Sequence, residues 1–538
     1  MKVLATLALG TSLVAAVERV VDLGYSKYAG RVVGDGTTQW LGMRYAAPPL
    51  GDLRFRAPAD PHATRGVQDA SKFGNICIAQ SPDDWTNKPT TRFTVGEDCL
   101  FVNVFAPSGA REKSKLPVMF YVQGGAFASN SGANFNGSDL ARKGDMVVVT
   151  INYRVGSWGW LNGEEVRSDG DANNGIRDQI KALEWTRRNI KKFGGDPDHV
   201  VLNGASAGAM SLAILMATPA IKDKKKMFKG VFAESAGVIQ LDTKEVVQNK
   251  FACLAKAVGC ESTSGPEALK CLRSVNGTAL QTASCKFQPT FDPEIIPSRI
   301  LLNKIYAQTL RTHPTIFGTT ANEGTDFIPP SLPSPAYFRA LFSSALPFLS
   351  ASALDALLSI YASGPQPSFP NAGPYWRAAS NAYGDIAFKC PTRILAGTSS
   401  WIYNYDVKDP ADEASGEGVF HTAERDAIWG PNNTDGNPIK SYLPGGVNEG
   451  IVPLMQGYMV SFVRHLDPNV KRVGGAPRWD RGVGGRTLHI TGAVGSKMGS
   501  VEEVEGEGFE ERCRRLGPVI RAAEVVPEEG TIVDLADA

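Results

Sequence analysis

The sequence predicts an α/β fold with a large, mostly parallel central sheet flanked by helices. Three observations carry this. Residues 117–122 and 146–151 are almost continuously apolar, the pattern of strands buried on both faces. Residues 173–193 read as a helix with Ile176, Ile180, Leu183 and Ile190 on one face. Between further strand candidates, Val200-Val201-Leu202-Asn203 runs into Gly204-Ala205-Ser206-Ala207-Gly208 and then into an apolar helix-forming run over 209–217. Buried strands alternating with helices argue for an open sheet covered on both faces.

The elements follow in order. Met1-Lys2 and the apolar stretch that ends in Val14-Ala15-Ala16 read as a cleaved secretory signal over residues 1–16, too short to span a bilayer. One domain is expected over 17–538. Residues 24–45 suggest short strands with glycine turns, and 230–233, 315–317 and Trp401–Tyr405 are further strand candidates. The run Lys222 to Lys226 reads as a solvated surface turn. Residues 323–385, rich in Pro, Ser and Ala, read as an insertion shaping the space above the sheet. The tail turns acidic from Val501, and about the last 15 residues are expected to lack fixed structure.

Composition limits the function. The 538 residues are 43% hydrophobic and 21% charged, and 56 basic against 55 acidic residues leave a net charge of +1. That balance excludes a nucleic-acid or polyanion partner as the first reading. No segment after the signal is long and apolar enough for an integral membrane span. Export makes the eight cysteines candidates for disulfides, with 105 pairings open. Asn136, Asn276 and Asn432 each begin an N-glycosylation sequon.

The chemistry centres on Ser206. A G-x-S-x-G turn between strand and helix holds a serine hydroxyl clear of its neighbours at the positive end of a helix. The glycines let strand and helix approach closely. A serine needs a base, and the base an orienting carboxylate. With the chain order serine, acid, histidine, His62 and His199 drop out. His465 looks like an exposed helix position and His489 like a half-buried strand position. His421 lies in a glycine-containing loop after a strand candidate, and Glu323 follows the strand candidate 315–317 beside Gly324. Val122-Gln123-Gly124-Gly125-Ala126-Phe127 has the small residues of an oxyanion loop. Gly125, Ala126 and Ala207 would supply the N–H donors.

At this point the chain resembles the type-B carboxylesterase/lipase family of the α/β-hydrolase fold, which includes cholinesterases and fungal secreted lipases. Glu97-Asp98-Cys99-Leu100-Phe101-Val102-Asn103-Val104, Asn152-Tyr153-Arg154-Val155-Gly156, Asp178-Gln179, Asn189 to Pro197, Glu323-Gly324-Thr325 and Gly418 to Glu424 carry the likeness, which spans residues 25–513. It implies Ser206 as nucleophile, His421 as general base and acid, and Glu323 as the orienting carboxylate. No metal or organic cofactor is implied. It implies disulfides Cys77–Cys99 and Cys260–Cys271, and Cys390 and Cys513 match positions that pair in some members. Cys253 and Cys285 are then left over. Ser235, in Glu234-Ser235-Ala236-Gly237, matches a serine that supports the triad through buried hydrogen bonds. Three positions depart from the pattern: Ala205 replaces an acidic residue, Ala126 a third glycine and Gln123 a histidine.

The expected activity is carboxylic-ester hydrolysis through an acyl-enzyme. Triacylglycerol lipase with interfacial activation is the alternative, and a catalytically inactive binding relative is the reading of another class. The Cys77–Cys99 loop holds only 21 residues, including Trp85 and Phe93, which favours soluble esters over lipid droplets. Trp85 reads as structural rather than as a cation-binding aromatic.

Overall fold

The structure, a computed structural model, describes residues 19–524 apart from 83–91, 238–240, 262–264, 435, 483–485, 493–499 and 504–505. Eleven strands form the main sheet: β1 (Arg31–Val33), β2 (Thr37–Arg44), β3 (Phe101–Pro107), β4 (Leu116–Val122), β5 (Val147–Ile151), β6 (Gly195–Ala205), β7 (Gly230–Glu234), β8 (Thr315–Thr320), β9 (Trp401–Tyr405), β10 (Arg486–Ile490) and β11 (Ser500–Glu503). Their order across the sheet is β11-β10-β9-β8-β7-β6-β4-β5-β3-β2-β1. The strands from β10 to β5 run parallel, and the strands at both edges are antiparallel. A small sheet of Val20–Asp22, Lys27–Ala29 and Val67–Asp69 lies apart.

The central parallel strands are buried on both faces because their alternating side chains meet a helix layer on each side. Val118, Phe120 and Val122 of β4 join the core under helices Asn174–Asn189 and Ala207–Ala217. The alternate residues, Met119 and Tyr121, join a second core under helix Ile451–His465. This two-sided burial demands unbroken apolar runs and explains why the strands were legible. A third core gathers Phe338, Phe342, Leu357 and Trp376 with Leu516 and Val519 of the C-terminal helix Gly506–Glu524, so residues 323–385 fold as a helical layer.

One surface expectation needs correction. Lys222 to Lys226 is not a plain solvated turn. Lys224 is half-buried, and its Nζ donates to the carbonyls of Thr218 and Ile221 at 2.8 and 2.9 Å. Burial pulls its pKa down to about 8. The ammonium thereby satisfies carbonyls just past the C-terminal end of helix Ala207–Ala217. Trp85, the signal segment and the acidic tail end lie outside the described residues. Among the described residues, no helix is long and apolar enough to cross a membrane.

Candidate active site

β6 stops at Ala205 and the next helix starts at Ala207, so one residue, Ser206, makes the whole turn. Its backbone sits at φ 55°, ψ −126°, a region that non-glycine residues rarely occupy and that costs about 1–3 kcal/mol. Close packing holds it there. A Cβ added at Gly208 would lie 2.1 Å from the Val122 carbonyl oxygen, so only glycine lets the helix come this near β4. The N–H of Ser206 donates to the Glu234 carbonyl at 2.9 Å, which fixes the elbow to the end of β7. The turn thus presents a partly exposed serine at the carboxyl edge of the sheet.

Glu323 follows β8 and His421 lies in the loop after β9, at the same edge. Both are buried. His421 Nδ1 lies 2.5 Å from Glu323 Oε2. The other carboxylate oxygen accepts from Ser235 Oγ at 2.8 Å and from the Thr320 N–H at 2.7 Å. Each oxygen of Glu323 is therefore occupied, and the carboxylate cannot rotate away. Asn322 locks the two loops together: its N–H donates to the Val419 carbonyl at 2.9 Å, and its side-chain Oδ1 accepts from the Val419 N–H at 3.0 Å. With Nδ1 held by the carboxylate, Nε2 is the ring nitrogen left without a partner in this structure.

The loop after β4 supplies backbone donors. Gly124 packs against the elbow, where an added Cβ would lie 2.6 Å from the Ala205 carbonyl oxygen and 2.9 Å from Ser206 Cβ. Gly125 and Ala126 follow with φ of 108° and 54°. Among the described residues their N–H groups make no backbone hydrogen bond. Ala207, as the first residue of its helix, has a free N–H for the same reason every helix N-terminus does. Three unpaired donors thus flank Ser206.

Sequence reasoning missed the aromatic wall around the histidine. Phe388 stands 4.4 Å and Phe327 5.0 Å from the His421 ring, centroid to centroid, and Tyr383 stands behind Phe327 at 5.3 Å. Phe388 lies on a π-helical turn, Asp385–Lys389, within the helical insertion. Single π turns often mark functional sites, but no simple periodicity announces them. Phe327, four residues beyond Glu323, was the accessible clue. It is 37% exposed, an apolar ring open to solvent beside a catalytic candidate.

The remaining candidates are placed as follows. Disulfides join Cys77–Cys99, Cys253–Cys285, Cys260–Cys271 and Cys390–Cys513. Phe93 is buried in a small cluster with Ile76 and Ala133. Asn432 is exposed, Asn276 caps a short helix by accepting from the Thr278 N–H, and Asn136 accepts from the Ser138 N–H. Ala205 is buried in register with Glu234. Gln123 is fully buried, and its side-chain amide has no partner in this structure. His465 is exposed at a helix end, and His489 is half-buried on β10.

An open parallel sheet with a serine elbow, an acid loop and a histidine loop along its carboxyl edge defines the α/β-hydrolase class. The carboxylesterase family model matches residues 18–491. The para-nitrobenzyl esterase of Bacillus subtilis is 32% identical over 484 residues, covering 85% of this chain and 91% of its own length. Secreted lipase 4 of Gibberella zeae is 28% identical over 496 residues, covering 85% of each. The crystal structure of Aspergillus niger EstA superposes with a TM-score of 0.85 at 34% identity, covering 95% of this chain and 99% of that one. The chain belongs to the carboxylesterase family of serine ester hydrolases, and as an enzyme it is a carboxylesterase.

Proposed function

We propose that the protein is a secreted esterase working through an acyl-enzyme on Ser206. The observation that carries this reading is the buried Glu323–His421 contact of 2.5 Å, set at the same sheet edge as the serine elbow. In the proposed first step His421 Nε2 takes the Ser206 proton as the hydroxyl oxygen attacks the ester carbonyl. Glu323 fixes the ring tautomer and stabilises the imidazolium that forms. The N–H groups of Gly125, Ala126 and Ala207 donate hydrogen bonds to the oxyanion. The alcohol leaves with the proton from His421, and water hydrolyses the acyl-enzyme by the same route. In the resting structure Nε2 has no hydrogen-bond partner, so the serine–histidine bond is expected to form with substrate bound.

Secretion is supported by the apolar N-terminal stretch and by four disulfides, which persist in oxidising compartments. On this reading residues 17–538 form one domain, and Asn276 and Asn432 are the exposed sequon asparagines. Soluble esters are the favoured substrates. A lipase reading is kept because some relatives are named lipases and because Phe327 exposes an apolar ring at the site.

Hydrolysis of p-nitrophenyl esters from acetate to palmitate tests both points. Ser206→Ala is expected to lower kcat by roughly a millionfold, to background, with the fold intact. Saturation below the solubility limit supports an esterase, and a rate jump above that limit supports the lipase. Equal rates in wild type and Ser206→Ala contradict the proposal.

A further inference from the structure

Two carboxylates outside the triad lie at its base. Glu234 ends β7, and Glu424 lies three residues after His421; both are completely buried. Each has one oxygen satisfied and one orphaned. Glu234 Oε1 accepts from Asn203 Nδ2 at 2.6 Å, and Glu424 Oε1 accepts from the Tyr403 hydroxyl at 2.9 Å. Oε2 of both residues is buried without a partner.

The strand register brings them together. Glu234 pairs with Gly318 of β8, and Gly318 pairs with Tyr403 of β9. A Cβ at Gly318 would lie 2.2 Å from the Tyr403 hydroxyl oxygen, so the tyrosine lies across the glycine toward Glu234. Adjacent strands are about 4.8 Å apart. The hydroxyl that holds Glu424 therefore lies over Gly318 of β8, the register neighbour of Glu234. Ala205, the register partner of Glu234 on the other side, brings no charge to this place.

Two ionised carboxylates cannot share so dry a space, and an orphaned oxygen on each is what a shared proton would bridge. We propose that Glu234 and Glu424 hold one proton between them, and that this acid–carboxylate pair positions the His421 loop against the nucleophile elbow. The pair touches every member of the triad through its own chain. The Glu234 carbonyl accepts from the Ser206 N–H, its neighbour Ser235 holds Glu323, and Glu424 opens the helix that follows the His421 loop. This inference deepens the esterase reading and rests on it for the triad roles alone.

The titratable groups facing the pair are Tyr121 from β4, Tyr403 from β9, Glu323 and His421 from the triad loops, and Arg425, which is paired with Asp426 at 3.0 Å. Tyr405 and Tyr442 lie further out. Burial is the first cause raising both carboxyls. The charge of Glu424 pushes Glu234 further up, and Glu323 adds to burial in taking Glu424 to about 7. The sign for stability follows. A glutamate free in the unfolded chain titrates near 4.5. Above that value the folded pair keeps a proton that the unfolded chain has lost, so this contribution to stability falls as pH rises.

Infrared spectra and pH-dependent unfolding of the full chain test the proposal without any substrate. At pH 7, difference spectra of wild type against Glu234→Gln and against Glu424→Gln are each expected to show the carbonyl stretch of one protonated carboxylic acid. Both variants should also gain stability relative to wild type as pH rises above 4.5. Absence of the band from either difference spectrum, or a stability gap independent of pH, overturns the shared proton. The positioning role is read by kcat. Glu234→Leu and Glu424→Leu should lower kcat about 10–100-fold with KM little changed, and the glutamine variants should recover most of it. Glutamine variants as slow as the leucine ones overturn that role. If wild type hydrolyses no ester, the esterase reading fails while the infrared result still stands.

Discussion

At the scale of single residues, the proposed machinery depends on how firmly Glu323 is held. Ser235 supplies one of its three hydrogen bonds and sits at φ 51°, a left-handed conformation kept by its own N–H donating to the Gly318 carbonyl at 2.8 Å. Ser235→Ala removes the side-chain donor and leaves the backbone path unchanged. We expect kcat to fall about 10–100-fold with KM nearly constant, measured on a short-chain p-nitrophenyl ester. An unchanged kcat would mean that Thr320 alone orients the acid. Ser206 and Glu323 could be singled out in the sequence because each closely follows a buried strand near a glycine, and His421 because it lies in a glycine-containing loop and fits the chain order serine, acid, histidine. Glu234 and Glu424 could not. Their pairing depends on a tyrosine crossing a glycine two strands away, and no local spacing records that.

At the scale of elements, the motifs that carried the family likeness act mostly as staples. Arg154 reaches the fully buried Asp178 through its side chain at 2.7 and 2.8 Å and through its own N–H at 3.0 Å. This ties the turn after β5 to helix Asn174–Asn189. Glu97 binds Arg54 through both oxygens, and Asp98 binds Arg44 likewise, so the acidic pair before Cys99 anchors the foot of the disulfide loop. Arg154→Met would leave Asp178 buried and unpaired. Stability is expected to drop by about 3–5 kcal/mol in urea unfolding, and a loss under 1 kcal/mol would mean the site relaxes or hydrates. Strands were legible from apolar runs, but their ends were not: β8 continues through Gly318-Thr319-Thr320, where polar residues are buried by the neighbouring strand. Helices of the insertion were only sketched, since they pack on one another rather than on a sheet face.

At the scale of the whole molecule, the sheet orders the site and the cross-links hold the layers above it. Cys390–Cys513 closes 123 residues and ties the C-terminal helix to the π-helical turn that carries Phe388. Replacing both cysteines by serine is expected to lower stability by about 4–5 kcal/mol if chain entropy governs the effect. Calorimetry of the double variant checks this, and an unchanged melting temperature would show that the helix is held by its apolar contacts alone. The fold class was legible at this scale because two-sided burial leaves a strong mark on sequence. The layer built from residues 323–385 and the C-terminal helix was not, because its core joins segments more than a hundred residues apart.

The account turns on Ser206 as the nucleophile, and covalent labelling reads this most directly. Wild type and Ser206→Ala are incubated with an organophosphate, digested, and the modified peptide located by mass spectrometry. The account predicts one stoichiometric adduct on Ser206, loss of ester hydrolysis in step with labelling, and no adduct in the variant. An adduct on another residue, or ester hydrolysis that persists with Ser206 fully labelled, would contradict it.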